Sequence, residues 1–298
     1  MENECTGYFA PEGGEEDLLA ELKNVTANYG GLLIAEGAPP KVHWVQNIWF
    51  SPQTISISSI NDAAKALRAL GGLWAYHPYA SIRRGELIAK NLPFFAPKPM
   101  IFPSKLPKTP LGAWTLLGEN TLLCSPRCSS PFRAGEPRFV ESQEPPSRAY
   151  LKLWEVLTLM EKRPMAGDVC LEVGASPGSW TWALQKMGAE VIAVDRASLA
   201  PEIGCLPNIT FLKKDAFSLR PEDFPQVTWV FSDVICYPEK LLEWILPWIG
   251  RGVNLVCTLK FQGEPSVETI RRFEEIPGSR VFHLFVNKHE LTWVKCSC

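Results

Sequence analysis

The run Leu171-Glu172-Val173-Gly174-Ala175-Ser176-Pro177-Gly178-Ser179-Trp180 decides the architecture of this chain. Its apolar start closes a strand that opens at Asp168, and its glycines sit where strand must turn into helix. Glycine there lets the backbone approach a ligand closely and leaves the first amides of the next helix, Ser179–Met187, free. Asp195 ends the next strand, Glu190–Asp195, about 20 residues after Gly174, where a carboxylate accepts from both ribose hydroxyls of a nucleoside. Asp215, just past a third strand Ile209–Lys214, is placed to accept from an adenine amine. A tight turn without a ligand explains Gly174 and Gly178 alone, but not an aspartate at the correct strand end.

Outward from that turn the pattern stays regular. A helix over Arg148–Glu161 precedes it. Strands Thr228–Asp233 and Val253–Lys260 follow, separated by a helix over Glu239–Ile249. A helix over Ser266–Glu275 leads to strands Val281–Val286 and Leu291–Lys295. Apolar strands alternating with helices predict a parallel sheet covered on both faces. The final connection, Asn287-Lys288-His289-Glu290, is too short for a crossover, so the last two strands are antiparallel. The expected fold is α/β: a Rossmann-like class I sheet of the S-adenosylmethionine (SAM)-dependent methyltransferases, ending in an antiparallel hairpin. A nicotinamide site is the competitor. It needs a second glycine where pyrophosphate meets the backbone, and Ser176 stands there. SAM has no pyrophosphate, so Glu172, Gly174, Ala175, Ser176, Pro177, Gly178, Trp180, Asp195, Asp215 and Asp233 are the candidate cofactor contacts.

Prolines crowd the stretch from Pro93 to Pro146, which reads as loops and short edge strands. Pro145-Pro146 marks a boundary between an N-terminal α+β domain, 1–144, and the C-terminal domain, 145–298. In the first domain, helices are expected over Gly13–Val25 and over Asn61–Leu70 with an Asn cap, and a strand over Thr54–Ser59. A small sheet packed by two helices fits.

The 298 residues are 46% hydrophobic and 21% charged, an ordinary globular balance. No apolar run is long enough to span a bilayer. The acidic start, Met1, Glu2, Asn3 and Glu4, has no apolar signal region, so a cytoplasmic protein with no membrane partner is expected. The nine cysteines are an odd number with mostly apolar neighbours, as reduced core thiols would be. Cys124/Cys128 and Cys296/Cys298 do not match zinc-knuckle spacing, and no metal is expected. The net charge of −2 gives no hint of nucleic acid, although a basic patch is a local property.

Chemistry in such a sheet belongs at the carboxyl edge of its strands. Asp233 and Lys260 each end a strand there, and Glu290 begins a strand of opposite direction, so it reaches the same edge. Lys152 lies on the preceding helix between Leu151 and Leu153. Singly, each has an ordinary reading: a solvated helix lysine, a strand-end lysine, a hairpin glutamate. Together they share one edge, which independent surface charges need not do.

These residues carry a resemblance. Ser147-Arg148-Ala149-Tyr150-Leu151-Lys152-Leu153, the Gly174–Trp180 turn, Ser232-Asp233 and Lys260-Phe261-Gln262-Gly263-Glu264 resemble the FtsJ-type RNA ribose 2′-O-methyltransferases over about half of the chain. The Lys-Asp-Lys-Glu tetrad of that family falls on Lys152, Asp233, Lys260 and Glu290. Pro145-Pro146-Ser147-Arg148 and the long N-terminal extension are most similar to the RlmM type. That type methylates a cytidine ribose of bacterial 23S rRNA and carries a THUMP-like RNA-binding region. The resemblance implies SAM as cofactor and 23S rRNA, or a large-subunit precursor, as partner.

The chemistry fits four such groups. A ribose hydroxyl is a poor nucleophile and must lose its proton as it attacks. A lysine serves as base where a neighbouring cation or desolvation favours the neutral amine. Lys260 is the expected base, oriented by Asp233, with Lys152 and Glu290 positioning the hydroxyl. Arg83-Arg84, Lys105/Lys108, Arg127/Arg133/Arg138 and Arg271-Arg272, with Phe94, Phe95, Phe102 and Phe132, are candidate RNA contacts, against the plain reading of solvated loops. Two other functions stay open: an idle SAM- or RNA-binding ribosome assembly factor, and a nicotinamide-dependent oxidoreductase.

Overall fold

A computed structural model describes residues 5–38, 41–93 and 98–297. The expectations placed on Met1–Glu4, Phe94, Phe95 and Cys298 lie outside the described residues. The chain divides into two compact units, Met1–Phe139 and Val140–Cys298.

The first unit contains β1 (Cys5–Phe9), α1 (Glu15–Glu21), β2 (Val25–Asn28), β3 (Leu32–Glu36), β4 (Asn47–Phe50), β5 (Gln53–Ser56), α2 (Ile60–Leu70), β6 (Leu73–Tyr76), α3 (Ile82–Lys90), β7 (Leu111–Leu116), β8 (Thr121–Ser125) and β9 (Arg127–Cys128). They form two sheets, ordered β2-β3-β1-β4-β9 and β5-β8-β7-β6, where a single small sheet was expected. The proline-rich region hides β7 and β8. β7 is buried along its whole length and pairs on both sides, parallel to β6 and antiparallel to β8. A strand buried on both faces has no polar alternation to mark it. The cap of α2 is Ser59, whose hydroxyl accepts from the Asp62 amide at 3.1 Å, and not Asn61. Ala63, Ala64 and Leu67 of α2 pack with Trp74, Ile88 and Trp114 into one core.

The second unit runs α4 (Tyr150–Met160), β10 (Val169–Val173), α5 (Ser179–Lys186), β11 (Glu190–Asp195), α6 (Pro201–Gly204), β12 (Ile209–Lys213), β13 (Trp229–Ser232), α7 (Pro238–Gly250), β14 (Asn254–Lys260), α8 (Val267–Glu274), β15 (Ser279–Phe282) and β16 (Glu290–Lys295). Its sheet is ordered β12-β11-β10-β13-β14-β16-β15. The first five are parallel, and β16 is antiparallel to both β14 and β15. This is the α/β sheet with a terminal antiparallel hairpin that the sequence predicts. The order of the parallel strands reverses at β10, with β11 on one side and β13 on the other, and this opens a crevice at the carboxyl edge.

β15 ends at Phe282, short of the expected Val286. The Phe285 amide donates to the Glu155 carboxylate at 2.9 and 3.0 Å, and the Asn287 amide closes a turn on Leu284. Those bonds replace strand pairing. α4 is buried on nearly every side, Lys152 and Glu155 included. Among the described residues no helix is long and apolar enough to cross a membrane, and no group of three or more His, Cys, Asp or Glu could hold a metal ion.

Candidate active site

The turn after β10 works as a backbone hinge. Gly174 has φ of +76°, and a Cβ on it would lie 2.8 Å from the Val234 amide nitrogen. Only glycine fits both constraints. The turn brings the Ser176 amide to Asp195, the last residue of β11, whose Oδ2 accepts from it at 3.0 Å. Oδ1 of the same carboxylate accepts from the Ala197 amide at 2.9 Å. Asp195 therefore ties the loop after β10 to the loop after β11.

Beside it lies a cleft of about 550 Å³. Gly174, Ser176, Asp195, Asp215, Asp233 and Lys260 line it. The volume is within the usual range for small-molecule sites. Two carboxylates at neighbouring strand ends with an aromatic ring, Phe217, suit an adenosine: acceptors for hydroxyls and amine, and a face for the base. Asp215 already accepts from the Phe217 amide at 3.0 Å and from Arg196, and these bonds hold its carboxyl below the usual range. Lys240 sits over the Phe217 ring, 4.1 Å from its centroid.

The other sequence candidates of the turn do not line the cleft. Glu172 is buried and accepts from the Thr181 hydroxyl at 2.6 Å. Burial pushes its pKa up to about 8, against the hydrogen bonds from Thr181, and the nearby Asp233 and Asp195 add to the rise. Ala175 is buried, and Gly178 packs so closely that a Cβ would meet Ile203 at 2.8 Å. Trp180 turns away and donates from Nε1 to the Ala149 carbonyl at 2.9 Å. Pro177 instead accepts through its carbonyl from the Ala200 amide at 3.0 Å. These residues shape the loop from behind. Strand-to-helix position alone does not say which side of the turn a side chain takes. Arg196, Phe217, Lys240 and Gln262 line the cleft and were not sequence candidates. Phe217, two residues after Asp215, and Gln262, two after Lys260, could have been found by following each candidate strand end into its loop.

At the other end of the cleft the four tetrad side chains meet. Lys152 Nζ donates to Glu290 Oε1 at 2.8 Å and lies 3.4 Å from Asp233 Oδ1. Lys260 Nζ lies 3.0 Å from the same Oδ1 and donates to the Asp233 carbonyl at 2.7 Å. Lys260 and Glu290 are register partners on β14 and β16. One carboxylate oxygen is thus shared by two amines. Lys152, which the plain reading would leave in solvent, is 9% exposed. Burial works against its charge, but Asp233 and Glu290 outweigh it, and its pKa lies above the usual lysine value. Lys152 stays charged. Lys260 faces the cleft; Lys152 and Glu290 lie behind Asp233, off its wall.

The basic clusters fall in different settings. Arg133 and Arg138, with Lys98 and the ring of Phe132, line a cavity of about 520 Å³ in the first unit. Arg127 lies over the Phe50 ring, and Phe102 meets Phe139 edge to face. Arg83 and Arg84 lie on α3. Lys105 and Lys108 lie in an irregular segment. On α8, Arg271 is paired with Glu268 and Glu275 of its own helix, as a solvated face would be.

Comparison with known proteins shows what this chain is similar to. The chain is 32% identical to ribosomal RNA large subunit methyltransferase M of Halorhodospira halophila, over 47% of this chain and 42% of that protein. It is 30% identical to the protein of that name from Azoarcus sp., over 58% of this chain and 48% of the relative. These two matches span less than half of the relatives' own lengths. With the Xylella fastidiosa protein of that name it shares 26% identity over 95% of this chain and 96% of the other. The sequence profile of FtsJ-like methyltransferases matches residues 145–274 of this chain.

Proposed function

We propose that this protein transfers a methyl group from SAM to a ribose 2′-hydroxyl of RNA. The observation that carries the reading is one carboxylate, Asp233, shared by Lys152 and Lys260 at the end of a cleft whose other end holds Asp195 and Asp215. When bound, SAM supplies an activated methyl on a sulfonium sulfur and leaves as a neutral thioether.

The chain's own residues have four tasks. Asp195 and Asp215 accept hydrogen bonds from the nucleoside, and Gly174 lets the backbone come close. Asp233 orients Lys260 through two contacts, its carboxylate and its carbonyl. Lys260, facing the cleft, is the group that would take the hydroxyl proton on Nζ. Lys152 stays charged beside the Asp233 carboxylate that it shares with Lys260. Glu290 fixes Lys152. Positioning of the hydroxyl carries much of the rate, because the leaving group needs no help.

The substrate is 23S rRNA or a large-subunit precursor, a reading supported by the similarity to ribosomal RNA large subunit methyltransferases. The first unit, Met1–Phe139, which falls within the N-terminal domain 1–144 of the sequence reading, binds RNA. The cavity that combines Arg133, Arg138 and Lys98 with Phe132 supports this, since guanidinium groups meet phosphates and rings meet unpaired bases.

The test is methyl transfer from labelled SAM to ribosomal RNA, followed by alkaline hydrolysis. A 2′-O-methyl group blocks cleavage, so label is expected in alkali-resistant dinucleotides. Label released in mononucleotides would place the methyl on a base and refute the ribose reading. No label, with SAM bound, would favour an idle binding factor; NAD binding without SAM binding would favour the oxidoreductase.

A further inference from the structure

The loop from Asp233 to Pro238, between β13 and α7, carries two apolar side chains that the fold does not use. Ile235 is 77% exposed, more than any other large hydrophobic residue among those described, and Tyr237 is 59% exposed. Cys236 and Pro238 between and after them are buried. Ile235 and Tyr237 are therefore the exposed residues of this segment. Both line the cleft that holds Asp233 and Lys260.

Tyr237 makes no hydrogen bond through its hydroxyl. It is the N-cap residue of α7 but caps through no side-chain bond. The other aromatic ring of the cleft, Phe217, is covered by Lys240 and lies beside Asp215 at the nucleoside end. Tyr237 is bare and lies four residues after Asp233. Pro238 at the first turn of α7 fixes the backbone that presents it.

We infer that Ile235 and Tyr237 form the platform on which the base of the target nucleotide stacks, out of any duplex, while its ribose hydroxyl reaches Lys260. The inference rests on the ribose methylation reading above and adds its substrate requirement: an unpaired nucleotide, held by its base. Ring stacking is tolerant of base identity, so sequence choice must be made elsewhere. Lys214 and Lys240 also line this cleft and offer charge for flanking phosphates.

The test uses the full chain, labelled SAM, and an oligoribonucleotide that the wild type methylates. A second oligonucleotide is identical but abasic at the methylated position. Loss of one base stack corresponds to roughly 5- to 150-fold in KM for RNA. Tyr237→Ala is expected to raise KM by that factor with SAM affinity unchanged, and Tyr237→Phe to recover most of it. The wild type is expected to lose a similar factor on the abasic substrate, where Tyr237→Ala costs little more. Additive losses from the variant and the abasic site would overturn the inference. So would weakened SAM binding by Tyr237→Ala, or a KM for it equal to that of the wild type. Absence of any transfer by the wild type would instead overturn the methylation reading, and the platform with it.

Discussion

Lys152 and Glu290, separated by 138 positions in the chain, are joined by a 2.8 Å hydrogen bond behind the cleft wall. Both are sequestered from solvent, their side chains 11% and 14% exposed. The bond links α4, which precedes the sheet, to the first residue of its last strand. Glu155, one turn along α4 on the same side, also accepts from the turn leading into that strand. One helix therefore sets both a charged amine and the position of its partner.

Breaking that pair is expected to cost stability as well as activity. Lys152→Met leaves Glu290 without its cation and Asp233 with Lys260 alone, and removal of one partner of a buried pair costs about 3–5 kcal/mol, less here because of residual solvent contact. The double variant Lys152→Met, Glu290→Gln should recover part of the loss. Urea denaturation of the four proteins in the cycle measures it. Additive losses would show that the two side chains are not coupled.

Lys260→Met should lower the rate of methyl transfer by about 10²–10⁴-fold, the range for loss of a general base. SAM affinity, measured by calorimetric titration, should change little, because the cofactor contacts are assigned to Asp195 and Asp215. A variant as active as the wild type would refute Lys260 as the base.

Glu172 and Glu155 make stability depend on pH. Burial raises both to about 8 in the folded protein, against the hydrogen bonds from Thr181 in one case and the Phe285 and Val286 amides in the other. A carboxyl raised on folding stabilises fully below the ordinary glutamate range, and that contribution is lost as pH rises through about 8. Glu172→Gln keeps an acceptor for Thr181 but cannot ionise. Its melting temperature should therefore fall less than that of the wild type between pH 5.5 and pH 8.5, a range chosen to bracket roughly the raised values. Parallel melting curves for the two proteins would show that Glu172 ionises freely in the folded state.

Gly174→Ala is strained twice, by its positive φ and by a Cβ placed against the backbone of Val234. It should destabilise the protein by about 1–3 kcal/mol and weaken SAM binding more than tenfold, because the loop cannot relax without moving Asp233. Calorimetric titration with SAM on folded variant is the check. Wild-type affinity would show that the turn only connects strand and helix.

The sequence by itself determined the architecture of the second unit: a parallel sheet covered by helices, a turn that needs glycine and a terminal antiparallel pair of strands. Regular apolar periods and a turn needing glycine are local signals, and a parallel sheet allows few topologies once they are read. It determined less of the first unit, where prolines surround the fully buried β7 and burial on both faces erased the alternation that marks a strand. Only the tertiary structure decided which turn residues face the cleft, since Glu172 and Trp180 are claimed by Thr181 and Ala149 from behind. It also decided that Lys152 is buried and charged while Lys260 faces the cleft. Those outcomes depend on neighbours brought from distant parts of the chain, and the balance of desolvation against nearby carboxylates is set only when those neighbours meet.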